Sequence, residues 1–175
     1  MKFENRLQEL PLPYRKLIAR FIELLLAQLG DRIVSIALFG SVARGDFKRT
    51  SDIDVLIIMR DLPRSRMKRY KLIVNILNEL EEIRDKLCSI GIYTGISPVI
   101  LDVNEAKYFR PLYLDLVEDC IILYDEGNFL SKILNKVYEY ITKFEGERIW
   151  MGKRWIWFFK KGNPLIELCG VKLVE

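Results

Sequence analysis

Gly40-Ser41-Val42-Ala43-Arg44-Gly45-Asp46, followed a few residues on by Ser51-Asp52-Ile53-Asp54, is the stretch on which the reading of this chain turns. Before it runs IVSIALF (33–39) and through its end runs IDVLIIM (53–59), both short, apolar and rich in branched residues. Such runs predict buried strands. Gly40 closes the first. A residue without Cβ permits a sharp turn and a close approach of backbone to a ligand. Ser41 then offers a hydroxyl and a backbone N–H where a short helix begins, a position that favours phosphate; an ordinary N-cap is the plainer alternative. Asp52 and Asp54 flank Ile53 at the start of the second strand. Side chains two apart on a strand share a face, with Cα atoms ~6.5–7 Å apart. Two carboxylates so placed can hold divalent metal ions, and Ile53 turns to the core. Alone, the pair also fits a loop residue followed by an exposed strand residue. With a Gly-Ser turn whose serine lies eleven residues earlier, the joint pattern describes a place for a nucleoside triphosphate and its magnesium.

Outward from this stretch the elements alternate. An N-terminal arm punctuated by Pro11 and Pro13 precedes a helix over 14–29, with apolar residues at Leu17, Ile18, Phe21, Leu24, Leu25 and Leu29 and a C-cap at Gly30. A long helix is expected over 64–88 and a third strand over 96–103, where Pro98 argues for an edge position. A short helix capped by Asn104, another over 112–118, a fourth strand over 120–124 and a helix from Gly127 to about residue 144 complete the order. This is an α/β (α+β) layer, a mixed sheet flanked by helices. The stretch after residue 145 changes character, becoming basic and aromatic. The expected organisation is one domain over 1–145, its core about 14–103, and a tail over 146–175 that packs on or extends it.

Composition narrows the chemistry. Half of the 175 residues are apolar and 30% charged, with a net charge of +4. That is a globular composition, permitting an anionic ligand without demanding nucleic acid. There is no histidine, which removes Ser-His-Asp and Cys-His nucleophiles, His-ligated zinc and imidazole bases. Cys88, Cys120 and Cys169 form no C-x-x-C pair and read as reduced core thiols of a cytoplasmic protein. Charges at Glu4, Arg6 and Glu9 interrupt any signal peptide, and no apolar run is long enough to cross a membrane. Glutamine stands only at positions 8 and 28, which points to a thermophilic source.

The pattern G-S-x-A-R-G-x-x-x-x-x-S-D-I-D, carried by Gly40, Ser41, Ala43, Arg44, Gly45, Ser51, Asp52, Ile53 and Asp54, resembles the signature of the minimal nucleotidyltransferases of the DNA polymerase β superfamily, in their archaeal stand-alone form. The resemblance implies a nucleotidyltransferase fold and magnesium-dependent transfer of a nucleoside monophosphate, AMP from ATP, to a hydroxyl with release of pyrophosphate. It implies that Gly40, Ser41, Arg44 and Ser51 bind the nucleotide and that Asp52 and Asp54 bind magnesium, two ions in such sites. Active members carry a third carboxylate on a neighbouring strand. In ISPVILDV (96–103) the early position is Ser97, and the only carboxylate is Asp102 near the far end. Asp102 completes the catalytic set if strand direction and register bring it to the metals; otherwise it is a strand-end turn residue.

Stand-alone domains of this size resemble the antitoxin half of toxin–antitoxin pairs, which adenylylate a HEPN-type helical partner. This chain is not that RNase, which relies on histidine. The alternatives are a catalytically weak or inactive nucleotide-binding, RNA-binding or protein-interaction module, and a small-molecule nucleotidyltransferase. Arg44 either pairs with phosphate or is an exposed helix residue or a partner for Asp46. The cations from Arg60 to Lys71 read first as a solvated helix face. The run WMGKRWIWFFKK (150–161) interleaves basic and aromatic residues, as single-strand nucleic-acid platforms do. Trp155, Trp157 and Phe159 alternate with Ile156 and Phe158, so a strand there buries one face and offers the other to a partner. Exposed aromatics on a basic ground suit protein contact about as well as RNA contact; the resemblance to archaeal members of the family, which end in a similar Trp-rich, Lys-rich tail, implies a packing or docking role.

Overall fold

The computed structural model describes residues 8, 10–152 and 154–175 of the chain. They divide into two compact units. One runs up to Val103 and takes in Asp119–Gly127; the other joins Asn104–Glu118 to Asn128–Glu175.

The first unit is built on a mixed sheet. β1 (Ile33–Phe39) pairs antiparallel with β2 (Ile53–Met59) and with β4 (Ile121–Asp125), and β3 (Ile96–Asp102) lies parallel to β2, in the order β3-β2-β1-β4. β1 and β2 are buried on both faces over most of their length, which is why they read as continuous apolar runs. β3 is an edge strand, as Pro98 requires, since a proline gives the ladder no N–H. α1 (Leu12–Leu29) buries Tyr14, Leu17, Ile18, Phe21, Ile22, Leu24 and Leu25, each worth roughly 1.5–3 kcal/mol when withdrawn from water. The helix starts earlier than expected. Pro11 is its N-cap and Pro13 lies in its first turn, where the missing N–H costs nothing. The rest of the proposed arm, residues 1–7 and 9, lies outside the described residues.

The single helix expected over 64–88 is two, α3 (Arg66–Asn78) and α4 (Glu81–Ser89). The break falls at Glu79-Leu80, and Leu80 is wholly buried. The apolar periodicity continues through the break, so a pattern alone reads as one element. The cations of this stretch are not one face. Arg69 is buried and donates to the carbonyls of Pro63 (2.7 Å) and Ile100 (3.3 Å), holding the edge strand, while Arg60 makes a two-pronged pair with Glu126 (2.7 and 2.9 Å).

In the second unit α5 (Val103–Ala106, its first residue belonging to the first unit) and α6 (Leu112–Asp119, its last likewise) precede α7 (Phe129–Lys143), a hairpin of β5 (Gly146–Met151) and β6 (Arg154–Phe159), and α8 (Pro164–Glu167). The expected boundary at 145/146 therefore falls inside one unit. Lys161 N–H donates to Phe144 O (3.0 Å) and Gly146 lies against Ile141 and Phe159, so the end of α7 and the hairpin fold together. Trp155 and Trp157 each donate an indole N–H to Asp115 Oδ1, at 2.8 and 2.9 Å, and Arg148 lies over the rings of Trp150 and Trp155. The other hairpin face presents Ile149 (41% exposed), Met151 (64%), Ile156 (51%) and Phe158 (47%). This is the two-faced strand expected of the tail. Cys88 and Cys169 are exposed and Cys120 half-buried, so they are not core thiols. Among the described residues no helix is long and apolar enough to cross a membrane.

Candidate active site

Antiparallel pairing sets Phe39, the last residue of β1, directly opposite Asp54 near the start of β2. The turn after β1 and the carboxylates of β2 therefore meet at one end of the sheet, although the loop between them separates them in sequence. Gly40 opens α2 (Gly40–Arg44) with φ +72°, a conformation that disfavours side chains. A Cβ there would stand 3.1 Å from Asp54 Cγ and nearer still to Oδ2. Gly40 is thus required twice, by the backbone and by the carboxylate seated against it. At five residues α2 is barely one turn; what it offers a phosphate is its first N–H groups, which have no partner within the helix. Ser41 O closes the turn by accepting from Gly45 N (3.0 Å) and Asp46 N (3.1 Å), with Gly45 at φ +84°.

Asp52 is exposed and accepts a hydrogen bond at Oδ1 from Gly95 N–H (3.1 Å), while Ile53 N–H donates to Gly95 O (2.8 Å). Asp54 is half-buried. Burial pushes its carboxyl above the usual aspartate range; a hydrogen bond from Ser97 pulls it back, Asp52 raises it and Arg44 lowers it. The two aspartates, with Ile53 buried between them, are hard oxygen donors whose mutual repulsion a cation would relieve. The donor set fits a divalent ion such as magnesium.

Register decides the status of the third carboxylate. In the parallel β2–β3 pair Asp54 faces Ser97, and Asp102 faces Met59, five positions further along. At ~3.3 Å per residue that is about 16 Å away. Asp102 Oδ2 instead accepts from Leu62 N–H (3.1 Å). The expectation that Asp102 joins the catalytic set is corrected: parallel direction carries it to the opposite end. Among the described residues no third Asp, Glu, Cys or His joins Asp52 and Asp54 in a metal-binding group.

The remaining sequence candidates shape the site. Arg44 pairs with Asp46 (3.1 Å) and with the nearly buried Asp119 (3.6 Å). The hydroxyl of Ser51 accepts from Lys48 N–H (2.9 Å) and its carbonyl from Thr94 Oγ1 (2.8 Å), so it folds the loop before the aspartates. Tyr14 Oη donates to Lys48 O (3.1 Å) and its ring packs edge-on against Phe47. Gly95, Thr94, Asp119 and Tyr14 escaped sequence reasoning, because each meets the site from another element and carries no local signal. Thr94 and Gly95 also line a cleft of about 320 Å³ beside Asp52, with Glu81, Arg84, Asp85 and Tyr93.

Comparison with known proteins identifies the family. The family described as "Nucleotidyltransferase domain" matches residues 18–154. The protein named "Putative protein adenylyltransferase MJ1305" from Methanocaldococcus jannaschii is 30% identical over 141 residues, 79% of this chain and 90% of that protein. A second from the same organism, "Putative protein adenylyltransferase MJ0604", is 37% identical over 78 residues, 41% of this chain and 78% of its own length. A solved toxin–antitoxin structure with AMP-PNP shares 19% identity and a TM-score of 0.43 across 73% of this chain and 91% of that one. With the glycine turn, the paired aspartates and a family match over most of its length, the chain belongs to the nucleotidyltransferase domain family and is an enzyme that transfers nucleotidyl groups.

Proposed function

We propose that this protein transfers AMP from ATP, with magnesium, to a hydroxyl on a partner protein in the cytoplasm, the partner being the HEPN-type helical half of a toxin–antitoxin pair. The observation that carries the reading is the meeting of the Gly40-Ser41 turn with Asp54 across one register pair, Phe39 opposite Asp54. The turn would receive the triphosphate. Asp52 and Asp54 would hold the magnesium, which when bound neutralises charge on the departing pyrophosphate. Arg44, braced by Asp46 and Asp119, lends positive charge beside Asp54. The acceptor oxygen bonds to the α-phosphorus, the bond to the β-phosphate oxygen breaks, and the hydroxyl proton passes to solvent. A protein acceptor is supported by relatives named as protein adenylyltransferases and by the exposed apolar face of the hairpin, a surface of the kind that docks protein.

The test is a transfer assay with labelled ATP, GTP, CTP and UTP, magnesium and helical proteins encoded beside this chain, scored by mass shift. Addition of AMP to a partner, lost in Asp54→Asn, supports the reading; transfer only to small molecules refutes the protein acceptor. The cleft beside Asp52 is what favours that second reading, a small hydroxyl-bearing acceptor.

A further inference from the structure

We propose that the Asp52–Asp54 pair holds one divalent cation rather than two, and that Ser97 is the residue that sets this limit. The inference rests on the transferase reading above and concerns the same site.

Ligands and charge set the number of ions. The pair has two carboxylates. Asp52 spends Oδ1 on the Gly95 N–H and Asp54 accepts a hydrogen bond from Ser97. Magnesium takes one or two carboxylates and completes its octahedron with water and substrate phosphate oxygens. The pair therefore suits one ion together with the triphosphate. A second ion ~3.5–4 Å from the first would need further anionic ligands, both to bridge the two and to offset the repulsion between dications, four times that of unit charges at the same distance. Two carboxylates balance one dication on the protein side of the site, so a second would have only the triphosphate to hold it.

A third anionic ligand would have to come from the strand beside β2, and the register shows what stands there. Ser97 lies opposite Asp54, neutral, with its hydroxyl turned to that carboxylate. The one carboxylate of β3, Asp102, is at the opposite end and bonded to Leu62 N–H. No third acidic or thiol ligand joins the pair among the described residues. Ser97 is accordingly a positioning residue: it orients Asp54 while withholding the charge that a second ion needs.

The experiment counts bound Mn²⁺ on the full chain saturated with a non-hydrolysable ATP analogue, by electron paramagnetic resonance and by calorimetry. One ion per protein–nucleotide complex is expected in the wild type and in Asp102→Asn. Ser97→Asp is expected to bind two, and Ser97→Ala one, held several-fold more weakly. Two ions in the wild type would overturn the count while leaving the transferase reading intact. No metal uptake with the analogue would overturn both. The wild-type count decides the number of ions even if Ser97→Asp fails to fold; a folded Ser97→Asp that still binds one ion would overturn the role given to Ser97.

Discussion

Gly40→Ala and Gly45→Ala make a matched pair of perturbations. Both glycines hold positive φ, +72° and +84°, so an added methyl costs each about 1–2 kcal/mol of backbone strain. For a chain of this size that is a fall in Tm of roughly 2–8 °C. The surroundings differ. A Cβ on Gly45 meets nothing within 4 Å, whereas on Gly40 it would stand 3.1 Å from Asp54 Cγ and overlap Oδ2. Ordinary contact begins near 3.4 Å, so the carboxylate must withdraw by about an ångström, a displacement worth ~10²-fold in rate when it falls on a group that positions reactants. Gly40→Ala is therefore expected to lose about two orders of magnitude in AMP transfer and to weaken Mn²⁺ binding with the nucleotide. Gly45→Ala should melt at a similarly lowered temperature while keeping most of its transfer rate. Thermal melts establish that both variants fold, and transfer scored by mass shift separates them. Equal activity in the two would refute the claim that Gly40 is a glycine on account of Asp54.

Asp54→Asn should abolish transfer yet raise the Tm of the metal-free protein at pH 7. The folded state raises the Asp54 pKa, so this group's contribution to stability is complete below the ordinary aspartate value near 3.9 and is lost as pH rises through the folded one. The stabilising effect of the substitution should therefore shrink to nothing in melts below about pH 4. Ser97→Ala removes a hydrogen bond that lowers the Asp54 pKa, so the acid limb of the pH–rate profile should move to higher pH; an unmoved limb would show that the hydroxyl does not act on Asp54. Asp115→Ala leaves two indole N–H groups without their charged acceptor, expected to cost about 2–3 kcal/mol. Amide exchange over 146–159 should accelerate, and unchanged exchange would mean that Asp115 does not hold the hairpin.

Much of the fold was legible because its signals are local. The strands β1 and β2 announce themselves as apolar runs, Pro98 marks β3 as an edge, and Gly127 precedes α7. The misreadings have one physical origin. A turn at Glu79-Leu80 leaves the apolar periodicity of α3 and α4 uninterrupted, and Pro13 reads as a breaker although the first turn of a helix tolerates it. The unit boundary at 145/146 failed for a related reason: composition changes there, but Phe144 and Lys161 bond across it.

Sequence by itself determined the chemistry available to this protein. The spacing from Gly40-Ser41 to Asp52 and Asp54, with the absence of histidine, already specified a glycine turn and a carboxylate pair as the groups on offer, because a strand's period of two and a glycine's freedom at positive φ are properties of the residues. Tertiary structure alone decided which groups reach that pair. Strand direction put Ser97 beside Asp54 and sent Asp102 to the far end, and folding brought Gly95 to Asp52 and Asp119 to Arg44. Direction and register are set by long-range pairing and burial, and a carboxylate seven residues into a strand carries nothing in its own neighbourhood to say at which end of the sheet it will stand.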